Sequence, residues 1–139
     1  MNQPDIQIPR KLANQLLHLA QLSPDLEVCG LVSSQNSVPY LCYPVANVAD
    51  QPAQRFLLDA AAQIAALKAM RERGEELFAI YHSHPTAPAI PSSTDLELAA
   101  YPNALTLIIS LNTKGILEMR GFHIVEQLAQ EIPLTLSED

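Results

Sequence analysis

Residues 77–95 read LFAIYHSHPTAPAIPSSTD, and the architecture of the chain is best read outward from them. Leu77 to His82 is apolar and partly β-branched, which predicts a buried strand. Residues 83–94, rich in proline, serine and threonine, predict a loop, and Asp95 to Ala100 a short helix after it. His82 ends the strand and His84 opens the loop. Residues i and i+2 of extended chain project from one face, with Cα atoms about 6.5–7 Å apart. Two imidazoles so placed can converge on one ion at about 2.0–2.1 Å from each nitrogen. Asp95 offers a third, oxygen ligand, and three protein ligands leave a position open for water, as in catalytic rather than structural zinc sites. Such a site needs a carboxylate to take the water's proton and pass it on. Glu27 is the candidate, because it interrupts an otherwise apolar stretch where a carboxylate is costly without a task or a partner.

Blander readings of the same residues stand beside this one. An isolated His-x-His pair is also found as hydrogen-bonded core or loop histidine. Ser92-x-x-Asp95 and Thr94-x-x-Glu97 both match helix-capping patterns, so these side chains could simply start a helix. The two readings are compatible, since an Asp in a first helical turn is held anionic by the helix dipole. Glu27 could lie exposed after the turn at Pro24.

Working outward, Ile6 to Ile8 predicts a short strand, and Leu12, Leu16 and Leu19 mark an amphipathic helix over residues 10–22 with Pro9 near its start. Residues 27–32 and 38–45 predict neighbouring strands joined by a turn at 33–37. A polar loop at 47–52 leads to a short strand, Phe56 to Leu58. Asp59 can cap a helix running to about Arg73, with Ala60, Ile64 and Leu67 buried and Gly74 as its stop. Residues 105–111 and 116–120 predict strands with a turn at 112–115, and 122–125 and 132–136 predict edge strands. Helices interleaved with a mixed, largely antiparallel sheet make an α/β or α+β layered domain.

Composition agrees with one domain over residues 1–139, since the chain is 48% hydrophobic and only 17% charged. With net charge −7, a basic stripe for nucleic acid is absent. No signal peptide and no membrane-spanning stretch is visible, so the expectation is a soluble, cytoplasmic protein. In that compartment Cys29 and Cys42 are expected to be free buried thiols, a disulfide across a hairpin being the minority alternative. Cys29 reads as a core residue rather than a nucleophile. His18 and His123 carry no assigned role.

Glu27, followed by His82-x-His84-Pro85, five residues, Pro91-Ser92, two residues and Asp95, resembles the signature of the JAMM (MPN+) zinc metalloproteases, in their compact bacterial form. The stretches around Glu27-Val28-Cys29-Gly30 and Ile80 to Pro85 carry the likeness, which spans roughly residues 6–125. The resemblance implies a deaminase-like α/β sandwich, a curved mixed sheet flanked by helices. It implies zinc on His82, His84 and Asp95, Glu27 as general base and acid, and Ser92 as a hydrogen-bond donor to the oxyanion or to the water. It further implies cleavage of peptide or isopeptide bonds after the terminal glycines of a small ubiquitin-like or sulfur-carrier protein. Several bacterial members of the family it resembles act with such carriers, trimming residues after a Gly-Gly tail or releasing cysteine from a carrier's C-terminal adduct.

Two other classes remain to be weighed. A non-peptidase zinc hydrolase such as a nucleoside deaminase would carry H-x-E with P-C-x-x-C, which is absent here. A non-catalytic scaffold of the same family typically lacks one or more of the ligands, and this chain keeps all of them. An HExxH helix site is also missing.

Overall fold

The computed structural model describes residues 5–112 and 118–138. The elements run β1 (Ile6–Pro9), α1 (Arg10–Leu22), β2 (Cys29–Gln35), β3 (Val38–Val45), α2 (Ala60–Glu72), β4 (Glu76–His84), α3 (Ser93–Leu98), β5 (Leu105–Ser110), β6 (Glu118–Val125), β7 (Leu128–Ile132) and β8 (Leu134–Ser137). A six-stranded sheet has the order β3-β2-β4-β5-β6-β7, and β1 pairs with β8 in a separate parallel ribbon. Within the large sheet β4 and β5 are parallel, and the other neighbouring pairs are antiparallel. Parallel neighbours need a crossover, and α3 with its flanking loops supplies it.

The strand period of two divides the core between the two faces of the sheet. Val32, Ala79, Tyr81, Leu105, Leu107 and Ile109 pack with Leu12, Ala13, Leu16 and Ala20 of α1. On the opposite face Leu31 packs with Ala66 and Met70 of α2, and Ile108 with Ala89, Phe122 and Ile124. Because Ala79 and Tyr81 point toward α1, His82 and His84 point to the other face. Gly30, between Pro44 and Tyr81 in register, has no room for a side chain: a Cβ there would lie 2.5 Å from the Tyr43 carbonyl and from the Tyr81 hydroxyl.

Several sequence expectations are corrected. The strand expected at 77–82 extends to His84, because β5 continues to pair with it through Ser83 and His84, so both histidines lie on β4. The helix expected at 95–100 begins two residues earlier, capped by Ser92. Phe56 to Leu58 forms only a single bridge, Leu58 to Asn47. α2 is turned from its expected phase: Ile64 is 67% exposed and Ala60 is exposed, while Ala66 and Met70 are buried and, of the expected stripe, Leu67 alone packs against them. A helix with so many alanines gives little to set its phase, and the apolar patch of Leu31, Tyr43 and Ile80 decides it.

The expected turn at 33–37 contracts to Asn36 and Ser37, both at positive φ. β7 was unexpected because its hairpin turns on Glu126 and Gln127, also at positive φ, without the glycine or asparagine that usually marks such turns. The strands expected at 116–120 and 122–125 are one strand, β6, and the final strand starts at Leu134. The turn expected at 112–115 and residues 116–117 of the first of those strands fall largely outside the described residues. Both cysteines are free; in the β2–β3 register Cys29 faces Val45 and Cys42 faces Val32, so they are not opposite one another. Among the described residues no helix is long and apolar enough to cross a membrane.

Candidate metal centre

His82 lies near the end of β4 between Cys29 of β2 and Ile108 of β5 in register. His84, two residues on, shares its face. Asp95 comes from the other side as the third residue of α3. Ser92 Oγ accepts from the Asp95 N–H at 3.0 Å, and Asp95 Oδ2 accepts from the Ser92 N–H at 2.9 Å, a reciprocal capping box. The cap fixes where the carboxylate points: the same Oδ2 lies 3.1 Å from His82 Nε2 and 3.1 Å from His84 Nε2, and those two nitrogens are 3.2 Å apart. The capping and ligand readings of Ser92-x-x-Asp95 thus describe one arrangement.

Glu27 lies two residues before β2 and is only 5% exposed. Its N–H donates to the Pro52 carbonyl at 2.8 Å, and its own carbonyl accepts from Asn47 Nδ2 at 3.0 Å. The neighbouring Val28 is tied to β4 twice, donating to Ser83 Oγ at 2.8 Å and accepting from the Ser83 N–H at 3.0 Å. One ligand atom each from Glu27, His82, His84 and Asp95 lies within 4.8 Å of the others, all four residues buried.

The geometry fits a small divalent cation. Bonds of about 2.0–2.1 Å in a tetrahedron place neighbouring donors about 3.3 Å apart, close to the separations among the two imidazoles and Asp95. His84 Nδ1 donates to the Pro88 carbonyl at 2.7 Å, which turns the Nε2 lone pair inward. His82 stacks on Phe56 with ring centroids 4.3 Å apart, which holds its plane. Glu27 Oε1 is buried without a hydrogen-bond partner, as suits a carboxylate reserved for a proton or a water.

Charge is distributed unevenly over the four groups. Burial raises the Glu27 carboxyl to about 7, helped by the nearby Asp95 charge and opposed by His84. Burial also acts on Asp95, but hydrogen bonds from His82 and His84 and from the Ser92 N–H hold it well below the usual carboxylate range. The buried His82 ring is pushed toward its neutral form by desolvation. In His84 desolvation is outweighed by Asp95, the Pro88 carbonyl and Glu27, and its pKa rises. One carboxylate is therefore firmly anionic while the other lies near neutrality.

Two cavities flank the cluster. One of about 230 Å³, largely apolar, is lined by Phe56, Leu58, Leu98 and Tyr101 together with His82 and Asp95. The other, about 400 Å³, is lined by Glu27, His84, Ser92 and the proline loop after β4. Tyr101 closes the first by accepting a hydrogen bond from Gln63 of α2. Sequence reasoning missed the supporting groups: Phe56, Asn47, Ser83 and Ser110, whose Oγ donates to the Ala87 carbonyl at 2.7 Å and anchors the proline loop. An unmarked Asn or Ser in a loop or strand carries no local signal of such a bond. His18 and His123 lie outside the cluster.

A family profile described as prokaryotic homologs of the JAB domain matches residues 9–121. The chain is 35% identical over 89 residues to a desampylase from Haloferax volcanii, an alignment covering 63% of this chain and 64% of that one, just under two thirds of the relative's length. It is 31% identical over 123 residues to the CysO-cysteine peptidase of Mycobacterium tuberculosis, covering 87% of this chain and 83% of the relative. A solution structure of a Desulfitobacterium hafniense protein superposes with a TM-score of 0.86 at 30% identity, covering 96% of this chain and 94% of that one. A JAB1/MPN domain protein from Archaeoglobus fulgidus shares the fold, with a TM-score of 0.63 at 19% identity over 96% of this chain and 98% of that one.

Proposed function

Because the chain belongs to the family of prokaryotic JAB-domain homologues, we propose that it is a zinc-dependent peptidase or isopeptidase. Its substrate is the amide bond after a Gly-Gly-type tail of a small ubiquitin-like or sulfur-carrier protein. Residues 1–139 are read as one such domain. The relatives' names support the substrate class, one being a desampylase and the other acting on CysO-cysteine. The observation that carries the reading is the buried cluster of two imidazoles and a capped aspartate beside an unpartnered glutamate.

His82 Nε2, His84 Nε2 and Asp95 Oδ2 would hold the cation. Bound zinc supplies a Lewis acid for the scissile carbonyl and lowers the pKa of water toward neutrality. Glu27 Oε1, buried beside the donor atoms without a hydrogen-bond partner, takes a proton from the attacking water and delivers it to the departing amine. Ser92 uses an Oγ lone pair for the Asp95 N–H, which leaves its own O–H to donate to the oxyanion. The carrier tail enters extended beside the loop 47–56, where glycines let its backbone approach the ligands closely. Free thiols at Cys29 and Cys42 suit a reducing compartment, and we place the activity in the cytoplasm.

The test is to incubate the zinc-loaded protein with ubiquitin-like carriers bearing C-terminal extensions and to read the products by intact mass. Glu27→Gln should keep its zinc and lose about 10²–10⁴-fold in turnover; normal activity would exclude the role given to Glu27. His84→Ala should lose zinc by elemental analysis, and full occupancy would contradict the ligand assignment.

A further inference from the structure

His84 must hold its ring in one particular way before Nε2 can serve as a donor atom, and a group outside the cluster sets that hold. Resting on the proposed function, we infer that Ser110 is a positioning residue for the metal centre. Its hydroxyl fixes the proline loop, and the Pro88 carbonyl of that loop selects the ring form and direction of His84.

A neutral imidazole carries its proton on either nitrogen. Only the form with Nδ1–H leaves the Nε2 lone pair facing His82 Nε2 at 3.2 Å and Asp95 Oδ2 at 3.1 Å. The Pro88 carbonyl, 2.7 Å from His84 Nδ1, is the acceptor that favours this form. What has to be held is therefore one backbone carbonyl in a loop where Thr86, Ala87 and Pro88 are all exposed.

The loop, residues 85–91, has few ties. Pro85, Pro88 and Pro91 have no N–H to donate. Inside it the Ile90 N–H donates to the Pro88 carbonyl at 2.8 Å. Ala89 is buried against Ile108, Phe122 and Ile124, which seats the loop on the sheet but turns no carbonyl. Among the described residues, two hydrogen bonds leave the loop. One is that of His84 itself; the other comes from Ser110, whose Oγ donates to the Ala87 carbonyl at 2.7 Å.

Ser110 stands in register with His84 on the β4–β5 ladder and is fully buried. The Asn112 N–H donates to the same Oγ at 3.1 Å, which directs the single hydroxyl proton toward Ala87. That bond orients the peptide plane between Ala87 and Pro88. The pyrrolidine ring then fixes the next φ at about −65°, so the Pro88 carbonyl has only ψ left to turn. The Ile90 N–H holds that last freedom. Ser110 lines neither cavity, so it acts through His84 and not on the substrate.

The experiment reads the metal alone. Ser110→Ala removes the hydroxyl; Pro88→Ala, at an exposed position, keeps the carbonyl but frees φ. By competition with a chelator, the zinc Kd should rise about 10–100-fold in Ser110→Ala and about threefold or more in Pro88→Ala. Imidazole NMR of the zinc-loaded proteins gives a second readout: the His84 Nδ1–H signal, protected from exchange in wild type, should be lost to water in both variants. Where Ser110→Ala does not fold, Ser110→Cys, of similar size and a weak donor, takes its place. A merely structural serine would lower the Tm of the metal-free protein and leave the Kd and the Nδ1–H signal of the folded protein unmoved. That result, or a zinc Kd within about twofold of wild type in either variant, overturns the inference while wild type still binds zinc and cleaves its carriers. If wild type takes up no zinc, the proposed function fails and this inference with it.

Discussion

Asn47 donates from its side-chain amide to the backbone carbonyl of Glu27 at 3.0 Å, although the two residues are twenty apart in sequence. The same amide donates to the Arg55 carbonyl, and Asn47 Oδ1 accepts from the N–H groups of Ala49 and Leu57, all at 3.0 Å. One side chain thus fastens the segment that carries Glu27, the proposed proton relay, to the loop that carries Phe56. Asn47→Ala removes all four bonds, and with them the donor to the carbonyl of the buried Glu27. Turnover should fall about tenfold or more, with zinc content unchanged, because the ligands themselves are untouched. Asn47→Asp keeps the two acceptor contacts and should fall in between. Kinetics with parallel elemental analysis check this, and a loss of zinc equal to the loss of activity would refute it.

The raised Glu27 pKa makes a prediction about stability. The carboxyl titrates at its ordinary 4.5 in the unfolded chain and at about 7 in the fold. Its contribution is therefore fully present below about pH 4.5 and is lost as pH rises through 7, because folding then has to hold a buried anion. Glu27→Gln has no such proton to lose. In metal-free protein the variant should gain Tm relative to wild type between pH 5 and pH 8. Scanning fluorimetry at the two pH values decides it: a difference that does not change with pH would exclude the linkage.

Gly30 leaves space that the Tyr81 ring and the Tyr43 carbonyl occupy. Backbone cannot move aside cheaply in the middle of a sheet, so Gly30→Ala should destabilise the protein by about 1–3 kcal/mol. Since β2 begins two residues after Glu27, activity should fall as well. Urea unfolding with an unchanged m-value is the measurement, and wild-type stability would show that the sheet relaxes.

Burial raises the Cys29 thiol to about 12, with Glu27 adding to the effect, and raises Cys42 to about 11. At pH 8 the thiolate fraction of either is then a small remnant of that of a free cysteine. Native protein should resist iodoacetamide at pH 8, and both thiols should react once it is unfolded. Mass spectrometry of the alkylated protein reads the result; rapid labelling of Cys29 in the native state would contradict its placement.

The legible parts of this protein were those written in short-range spacing. His82 and His84 share a face because strands repeat every two residues, and Asp95 follows a capping serine at the distance a first helical turn requires. α1, with leucines at regular helical intervals, was equally clear. Glu27 showed itself only as a charge where apolar residues were expected, and the family resemblance gave it the same place beside His82, His84 and Asp95 that this reading had. The unread parts depend on distant chain. Phe56 reaches His82 because the loop from Asn47 to Leu58 folds back on itself, and no local pattern announces that. Ile64 was assigned to the core because an apolar residue at helical spacing usually is, yet the packing surface of Leu31 and Tyr43 turned α2 the other way. The β6–β7 hairpin escaped because Glu126 and Gln127 adopt a backbone conformation usually left to glycine and asparagine.

The Oδ2 atom of Asp95 both closes the cap of α3 and faces the two imidazoles. Unwinding the first turn of that six-residue helix would therefore swing one of the proposed ligands out of the cluster. Exchange of the bound ion with solvent would then keep time with the fraying of a single helical turn, and the site's hold on its ion would be set as much by how often α3 opens as by the strength of its bonds.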